Sequence, residues 1–443
     1  MTTDRSVENF RELLRIPTIS RADAAATDWA RFDEFIAATR RLYPLVHERL
    51  EHELVGGHTM VLRWPGRDDG SPALLMGHYD VVAAVDEGWE HPPFAAELVG
   101  EGAQQVLWGR GTLDDKGAVV AILEAVQRQL ELGFAPQHDI YLSFGHDEET
   151  LGTGARAVAG VFESRGIHPA FVLDEGGAIV EGAFPGVPGP VAAVGVSEKG
   201  ATIVTLTVEQ AGGHASTPPK VTATNRLAKA IVRLGERPFP AGLNPAMMGM
   251  FAVLGRHAKG AYGLAFRNAK LTRPLLLAAF KALSNETAAM TRTTAAVTML
   301  DAGLAQNALA ERATATISMR VAVGSSVAEA TAHLRRAIAD DAVSIEVVDA
   351  TEPSPISPST GPAWSLLAAT IERTHPGTVV TPYVQTGATD SRRFTVLSPN
   401  VYRFTPFEMS KPERDTLHAV NERMRVATWL RGIDFYSALI EAL

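Results

Sequence analysis

The stretch VLWGRGTLDDKGAVVAILEAVQRQLEL, from Val106 to Leu132, predicts a short strand, a tight turn and a helix in immediate succession. Val106–Trp108 is a compact apolar run, and the glycines that follow it permit a tight turn. From Ala118 onward, apolar residues recur at intervals of three and four, which is the spacing of an amphipathic helix. A strand that passes through a polar turn into a helix is the repeating unit of an α/β domain.

Three further apolar runs of strand length occur in the first half of the chain. They are Ala73–Met76, Ile140–Phe144 and Phe171–Leu173, and helix-type segments separate them. This alternation predicts a mostly parallel sheet flanked by helices. Ligands of such sheets bind beyond the carboxyl ends of the strands. We therefore expect the polar residues that follow the four predicted strands to lie together.

The pattern of the sequence changes near Gly200. Apolar and polar residues alternate over Ala201–Val208 and again over Ala313–Val323, which predicts strands with one face in water. The segment Pro353–Pro358 is typical of a linker, and the earlier α/β pattern resumes after it. The predicted division is an α/β domain over residues 1–198, an inserted α+β domain over 199–350, and the second part of the α/β domain over 351–443.

The most apolar region spans residues 238–300 approximately. Charged residues such as Arg256, Arg267 and Lys281 divide it into stretches shorter than the ~20 residues that a membrane span requires. We interpret this region as helices packed within a domain, with membrane contact as the alternative.

Composition excludes several classes of protein. The net charge is −9 and the basic residues are scattered, which argues against a nucleic-acid partner. The chain has no cysteine, so a metal ion would have to be bound by His, Asp and Glu. The N-terminal sequence MTTDRSVENFRELLRIPTIS contains acids and an amphipathic pattern where a signal peptide has a basic start and an apolar run. We therefore expect a cytoplasmic location.

Each of the four predicted strands runs into side chains that can bind a metal ion. Taken singly, these are ordinary features, because acids often cap helices and a histidine often lies on a surface. Four successive strand ends with this chemistry instead predict one polynuclear site for hard or borderline metals. The groups are His78 with Asp80, Asp114 with Asp115, Asp147 with Glu148 and Glu149, and Asp174 with Glu175.

These residues lie in motifs that resemble those of the co-catalytic di-zinc peptidases, which include aminoacylase, bacterial carboxypeptidases and succinyl-diaminopimelate desuccinylase. The resemblance is closest to the carboxypeptidase S branch, which also contains hydrolases of N-fatty-acyl amino acids. The motifs cover nearly the whole chain in the family's order. They are GHYDVV at 77–82, WGRGTLDDKG at 108–117, DEE at 147–149, GGHAS at 212–216 and LHAVNE at 417–422.

The resemblance implies a zinc-peptidase fold and hydrolysis of an amide or peptide bond next to a free carboxylate. Two metal ions would be Zn²⁺, with Co²⁺ or Mn²⁺ also suited to His and carboxylate ligands. The resemblance makes Asp114 the bridge between the ions. His78 and Asp174 would complete one site, with Glu175 as the alternative to Asp174, and Glu149 and His418 the other.

The resemblance also assigns catalytic roles. Glu148 matches the general base that moves a proton from water to the leaving nitrogen. Asp80 would fix the tautomer of His78.

By the same resemblance, the inserted domain is a lid and dimerisation domain. His214 would stabilise the oxyanion of the reaction from the lid of a partner subunit, so we expect a homodimer. Arg320, beside Asn307, and Arg392 are the candidates for binding the substrate carboxylate, because a guanidinium can grip a carboxylate with two hydrogen bonds.

The substrate leaves two enzymatic alternatives open. A peptidase and an aminoacylase or N-fatty-acyl amino acid hydrolase share this chemistry and differ in the acyl pocket, for which the apolar region leaves room. A catalytically silent binding protein on the same fold is a third hypothesis. The presence of every ligand together with Glu148 argues against it.

Overall fold

The structure is a computed structural model that describes residues 3–150 and 152–443. In chain order the strands are β1 (Glu51–Val55), β2 (Thr59–Trp64), β3 (Ala73–His78), β4 (Glu97–Val99), β5 (Val106–Trp108), β6 (Ile140–Gly145), β7 (Phe171–Val180), β8 (Val191–Glu198), β9 (Gly200–Glu209), β10 (Thr294–Ala302), β11 (Arg312–Val321), β12 (Ser344–Ala350), β13 (Val379–Gln385), β14 (Val401–Met409) and β15 (Arg423–Arg425). The α-helices are α1 (Thr3–Leu14), α2 (Trp29–Leu42), α3 (Pro44–Arg49), α4 (Lys116–Glu131), α5 (Gly154–Ser164), α6 (Ala223–Glu236), α7 (Pro245–His257), α8 (Gly260–Arg267), α9 (Arg273–Leu283), α10 (Asn285–Met290), α11 (Val327–Ile338), α12 (Pro362–Thr374), α13 (Lys411–Arg414) and α14 (Val426–Ala442).

An eight-stranded sheet forms the larger part of the molecule, in the order β1-β2-β6-β3-β7-β14-β8-β13. The central run β6-β3-β7-β14 is parallel, as is the β8–β13 pair. The strands β3 and β6 are buried along their whole length, as expected for parallel strands covered by helices on both faces. The predicted α/β class with a mostly parallel sheet is confirmed.

Alternate residues of β3 enter two different cores. Leu75 belongs to the core that contains the buried face of α4, whereas Leu74 and Met76 pack in the core that contains Phe162 of α5. Helices therefore cover both faces of the sheet. Because both faces are covered, a ligand can approach the sheet at the ends of its strands. In sheets of this kind the functional site lies beyond the carboxyl ends.

A second sheet of four antiparallel strands has the order β10-β11-β9-β12. Alternate residues of β9 and β11 are buried, and they share a separate core with α6 and α11. The two predicted alternating runs are thus strands, whereas β10 and β12 were not predicted. The sheet lies within residues 200–350, and the domain boundaries proposed from the sequence stay a prediction.

One strand does not lie where the sequence suggested. β5 is a strand, but it belongs to a small antiparallel sheet of order β15-β5-β4 and not to the large parallel sheet. With three residues it is shorter than the central strands, and its pairing is decided by two segments distant in sequence. The turn that follows β5 nevertheless carries Asp114 to the same edge as the ends of β3 and β6.

The apolar region forms α7, α8, α9 and α10 and then enters β10. Its buried residues, such as Met247, Phe251 and Phe280, join the core of the large sheet. The interpretation as helices packed in a domain agrees with this arrangement. Within residues 3–150 and 152–443, no helix combines the length and the apolarity needed to cross a bilayer.

Candidate active site

Five side chains with metal-binding chemistry meet at the carboxyl edge of the large sheet. His78 ends β3, Glu149 follows β6, and Glu175 lies within β7. Asp114 comes from the turn before α4, and His418 from the loop between α13 and β15. Residues up to 340 positions apart in the sequence thus surround one space.

The carboxylate of Asp114 stands between the two histidines. His78 Nε2 lies 3.0 Å from Asp114 Oδ1, and His418 Nε2 lies 2.9 Å from Asp114 Oδ2. The second histidine is also 3.0 Å from Glu149 Oε2. One carboxylate that offers a different oxygen to each imidazole has the arrangement required of a ligand shared by two cations.

The donor atoms are close enough to serve common ions. One ligand atom from each of His78, Asp114 and Glu149 lies within 4.8 Å of the other two, and the same holds for His78, Glu148 and Glu175. Moreover, Glu149 Oε1 is buried without a hydrogen-bond partner in the described chain. Imidazole nitrogens together with carboxylate oxygens suit borderline divalent cations, so the residues present fit a pair of such ions.

Of the two adjacent acids in β7, the structure places Glu175, and not Asp174, among the possible metal ligands near His78. Asp174 Oδ1 accepts a hydrogen bond from the backbone N of Glu175 at 2.9 Å, and its Oδ2 accepts one from Ser391 N at 2.7 Å. Glu175 Oε1 instead lies 3.8 Å from His78 Nε2. This distance favours Glu175 over Asp174 as the ligand, and the choice between them stays a prediction.

Asp80 connects a histidine to the acidic turn after β6. His78 Nδ1 lies 3.0 Å from the backbone O of Asp80 and 3.3 Å from its Oδ1. The same carboxylate accepts hydrogen bonds from Glu148 N at 3.2 Å and Glu149 N at 3.1 Å. Ser20 Oγ donates a further bond to Asp80 at 2.7 Å. Asp80 is therefore placed to orient both the imidazole and the two glutamates.

Glu422 organises the turn of Asp114, a role that the sequence did not reveal. Glu422 Oε1 accepts hydrogen bonds from the backbone N of Gly111, Leu113 and Asp114 at 3.1, 2.8 and 3.3 Å. Its Oε2 pairs with Arg110 Nη1 at 2.5 Å. The turn is thereby anchored to the loop that carries His418, so two ligands distant in sequence share one support.

The ionisation of the cluster reflects burial and crowding of carboxylates. Burial raises the pKa of Glu148 and of Glu175 well above their usual range. Burial alone would lower the pKa of His78, but hydrogen bonds to Asp114 and Asp80 raise it well above normal. Hydrogen bonds to Asp114 and Glu149 raise the pKa of His418 to about 10. The cluster thus strongly stabilises positive charge placed among its carboxylates.

Arg320 and Arg392 approach each other from the two parts of the molecule. Arg320 is on β11 of the smaller sheet, and Arg392 lies in the 3-10 helix Asp390–Phe394. Burial and the charge of Arg392 lower the pKa of Arg320. Arg320 Nη1 and Arg392 Nη1 are both buried and have no hydrogen-bond partner in the described chain. Unpaired buried donors on two cations provide the chemistry of a carboxylate-binding site.

Glu198 supports these cations and was also missed in the sequence. It lies at the end of β8, and its Oε1 is 3.8 Å from Arg392 Nε. Its Oε2 accepts hydrogen bonds from Arg403 Nε at 2.9 Å and Thr389 Oγ1 at 2.9 Å. The sequence contained one indication of this role, because Glu198 is a carboxylate at the end of a fully buried strand.

His214 and Asn307 lie close to each other, on segments that are joined by backbone pairing. His214 is exposed and forms an isolated bridge with Ala308, and Ala215 N donates to the backbone O of Asn307 at 3.1 Å. Across residues 3–150 and 152–443, no hydrogen bond or ion pair joins His214 to the cluster.

Comparison with known proteins gives consistent matches. Residues 74–442 match the peptidase family M20/M25/M40. The chain is 36% identical over 427 residues to the probable carboxypeptidase S-like 2 of Dictyostelium discoideum, covering 95% of this chain and 80% of that protein. It is 35% identical over 443 residues to the N-fatty-acyl-amino acid synthase/hydrolase PM20D1 of Xenopus tropicalis, covering 98% and 85%. An M20 family metallo-carboxypeptidase from Sulfolobus solfataricus shares the fold with a TM-score of 0.71 at 18% identity, covering 98% of each chain.

These matches confirm the resemblance found in the motifs, including the carboxypeptidase S and N-fatty-acyl amino acid hydrolase branch. The family match spans the carboxyl-edge cluster from His78 to His418. It supports metal-dependent hydrolysis of peptide or amide bonds, in agreement with the chemistry of that cluster. The chain therefore belongs to the peptidase family M20/M25/M40 and is a hydrolase of that family.

Proposed function

We propose that this hydrolase cleaves an amide bond next to a free carboxylate with two divalent metal ions, Zn²⁺ before Co²⁺ or Mn²⁺. The ligands would be His78, Asp114, Glu149, Glu175 and His418. The observation that carries the proposal is the position of Asp114, whose two oxygens lie 3.0 and 2.9 Å from the two histidines. A shared carboxylate with an imidazole on either side is the ligand set of a co-catalytic pair of ions.

Bound ions would lower the pKa of an attacking water and polarise the scissile carbonyl. Glu148 would take the proton from that water and deliver it to the leaving nitrogen. Its position supports this role, since its backbone is fixed by Asp80 and its carboxylate is buried beside the ligands. Burial raises the pKa of Glu148. The carboxylate is therefore a stronger base towards the water, and the carboxyl group that forms keeps its proton until the leaving nitrogen takes it.

The substrate carboxylate would bind to Arg320 and Arg392. Each guanidinium has a buried Nη1 without a hydrogen-bond partner in the described residues, and Glu198 Oε1 lies 3.8 Å from Arg392 Nε. An incoming carboxylate would satisfy both donors and the two positive charges. The smaller sheet contributes Arg320, so binding of the substrate would also bring the two parts of the molecule together.

The oxyanion of the reaction would be stabilised by His214 of a second copy in a homodimer. The support is that His214 is exposed and, among the described residues, forms no hydrogen bond or ion pair with the proposed ligands, as expected of a residue that acts in another subunit. Asn307 lies beside it and would join the same contact. The inserted domain over 199–350 would then serve as lid and dimerisation domain.

Two substrate classes fit this chemistry. One is a dipeptide or short peptide, in line with the carboxypeptidase S-like relatives, and the other is an N-fatty-acyl amino acid, in line with the PM20D1 relatives. The acyl side of the bond decides between them. Both have the free carboxylate that Arg320 and Arg392 would bind.

A chelation and substrate series tests the proposal. The protein is stripped with a chelator, reloaded with Zn²⁺, Co²⁺ or Mn²⁺, and assayed on dipeptides and on N-acyl amino acids of increasing acyl length. We expect the stripped protein to be inactive, the reloaded protein to recover, and one acyl class to give the higher kcat/KM. Activity that survives complete removal of metal would refute the mechanism. Equal rates on substrates whose carboxylate is amidated would refute the arginine site.

A further inference from the structure

The region of α8 and α9 exposes an unusual density of large apolar side chains. Five large apolar side chains between Tyr262 and Leu283 are highly accessible. They are Tyr262 (52% exposed), Leu264 (61%), Leu271 (83%), Leu275 (62%) and Leu283 (50%). We refer to these five residues as the α8–α9 surface. A local concentration of exposed large apolar side chains on a folded protein indicates a candidate binding surface.

Helix α9 explains why these groups are not buried. Its residues Leu276 and Phe280 enter the core of the large sheet. A second apolar face remains in water, formed by Leu271 just before the helix, Leu275, Ala279 and Ala282. Positions separated by four, eight and eleven residues lie along one side of a helix. The helix is therefore apolar on two sides, and the fold uses only one of them.

Basic residues are interspersed in the sequence with the residues of this surface, without any acid from the same segment. Residues 237–285 contain seven Lys and Arg and no Asp or Glu, although the whole chain carries a net charge of −9. The cations of α7 to α9 are exposed, and none of them forms an ion pair within the described part of the chain. They are Arg256, Lys259, Arg267, Lys270, Arg273 and Lys281.

The arrangement at the turn between α8 and α9 combines both features. Leu271 has the highest exposure of the five residues and lies at the tip of this turn. Lys270 precedes it and Arg273 begins α9. Long basic side chains can extend to a headgroup region while a neighbouring leucine enters the acyl boundary.

We propose that the α8–α9 surface docks on an anionic phospholipid bilayer, with the leucines in the acyl boundary and the cations of the same segment at the headgroups. The positive charge of this region favours an anionic bilayer over a second copy of the chain as the partner of the α8–α9 surface. A second copy that met the same surface face to face would bring six cations against six, with no acid of the segment to pair with them. An anionic bilayer offers a negative charge to each of the six cations. This docking lies beyond the hydrolytic function and does not depend on it.

Cosedimentation with vesicles tests the proposal directly. The full chain is mixed with vesicles of pure phosphatidylcholine, or with vesicles of equimolar phosphatidylcholine and phosphatidylglycerol. We expect binding to the anionic vesicles, weaker binding at high salt and little binding to the neutral ones. No binding to either kind of vesicle at low salt would overturn the proposal.

Variants separate the apolar and the charged contributions. Lys270→Gln, Arg273→Gln and Lys281→Gln together should weaken binding to anionic vesicles by about a hundredfold, at ~1 kcal/mol for each charge. Leu271→Ser with Leu275→Ser should weaken it at least about tenfold, since the apolar contact is lost. All five positions are exposed, so the fold should persist, which circular dichroism and hydrolysis of a small water-soluble substrate verify.

Matched controls alter the same residue types elsewhere. Leu132→Ser with Val396→Ser removes two exposed apolar side chains, and Lys220→Gln, Lys229→Gln and Arg336→Gln remove three exposed charges from the smaller domain. Both sets should bind vesicles as the wild type does. Equal loss in test and control variants would overturn the proposal. So would sedimentation showing that Leu271→Ser and Leu275→Ser dissociate a dimer without changing vesicle binding, because the surface would then join two copies.

Discussion

The backbone N of Ser391 donates a hydrogen bond of 2.7 Å to the carboxylate of Asp174. The second oxygen of this carboxylate accepts from Glu175 N at 2.9 Å, so both oxygens are engaged by backbone. Glu175, one position further along β7, faces His78 instead. Two adjacent acids thus have different tasks. Asp174 joins β7 to the segment that carries Arg392, and Glu175 supplies an oxygen to the cluster.

This division predicts different effects for two isosteric variants. Glu175→Gln should reduce the affinity for Zn²⁺ by roughly 10–100-fold or more, because a charged ligand is lost. Asp174→Asn should mainly destabilise the metal-free fold, by about 1–3 kcal/mol, because an amide nitrogen then faces a backbone donor. Calorimetric titration with Zn²⁺ and urea unfolding in chelator measure the two effects. The assignment is wrong if Asp174→Asn loses metal and Glu175→Gln keeps it.

Replacement of the proposed general base should separate catalysis from metal binding. Glu148→Ala should lower kcat by roughly 10²–10⁴-fold, the usual contribution of such a group, and leave the metal content unchanged. The comparison is Glu163→Ala, which removes an exposed glutamate from α5. Steady-state kinetics and metal analysis of both proteins give the answer. A Glu148→Ala protein with the wild-type rate would exclude Glu148 as the base.

The arginines should affect only substrates that carry a free carboxylate. Arg320→Met and Arg392→Met should each lower kcat/KM by roughly 10–100-fold, in line with ~1.5–3 kcal/mol for a hydrogen bond to a charged group. On the same substrate with its carboxylate converted to an amide, either substitution should lower kcat/KM only slightly. Arg373→Met on the exposed side of α12 is the control. Equal losses on both substrates would mean that the arginines support the fold and not substrate binding.

Mixed dimers can reveal a shared active site. His214→Ala and Glu148→Ala are each expected to be nearly inactive alone. If His214 acts across the dimer, mixing the unfolded chains and refolding them should restore up to about a quarter of the wild-type rate, because half of the dimers are mixed and each has one intact site. Failure to recover activity, with mixed dimers demonstrated by a size tag, would contradict the shared site.

The parts of the structure that the sequence predicted are those with a local signal. The strands β3, β6 and β7 are apolar runs, and their ligands follow within the same few residues or, in β7, lie within the strand itself. Strand β5 was correctly found as a strand, but nothing local reveals that it pairs with β4 and β15. Sheet membership depends on partners far along the chain, and a three-residue run carries no information about them.

The supporting acids show the same limit at the site. Glu198 bonds Thr389, 191 positions away, and Glu422 bonds Leu113, 309 positions away. Their roles follow from where distant segments meet, which periodicity and composition do not specify. The sequence also does not distinguish Asp174 from Glu175 as a ligand. That choice depends on which of the two neighbouring side chains faces the cluster. Strand β10, an edge strand with little buried surface, lacks even the alternation that made β9 and β11 visible.

Stability towards acid should depend on His375, a buried residue remote from the proposed ligands in the sequence. Its Nδ1 lies 2.9 Å from Thr374 Oγ1, and its Nε2 is buried without a partner in the described chain. Burial, with a smaller effect of the Arg431 charge, lowers the pKa of His375 from 6.5 to about 4. Between these two values the unfolded chain binds a proton that the folded chain does not. The free energy of unfolding therefore falls as the pH drops through this window, and the contribution is fully present above pH 6.5.

This titration gives the size of the expected effect. From pH 7 to pH 5 the linkage amounts to about 2 kcal/mol for a single histidine with this shift. His375→Gln removes the titrating group. The decrease in unfolding free energy from pH 7 to pH 5 should therefore be about 2 kcal/mol smaller in this variant than in the wild type, even if the variant is less stable at pH 7. Urea unfolding in chelator at both pH values measures the difference, and His257→Gln on α7, where the histidine is exposed, should behave as the wild type does. Parallel pH profiles for wild type and His375→Gln would show that the buried imidazole accepts its proton without unfolding.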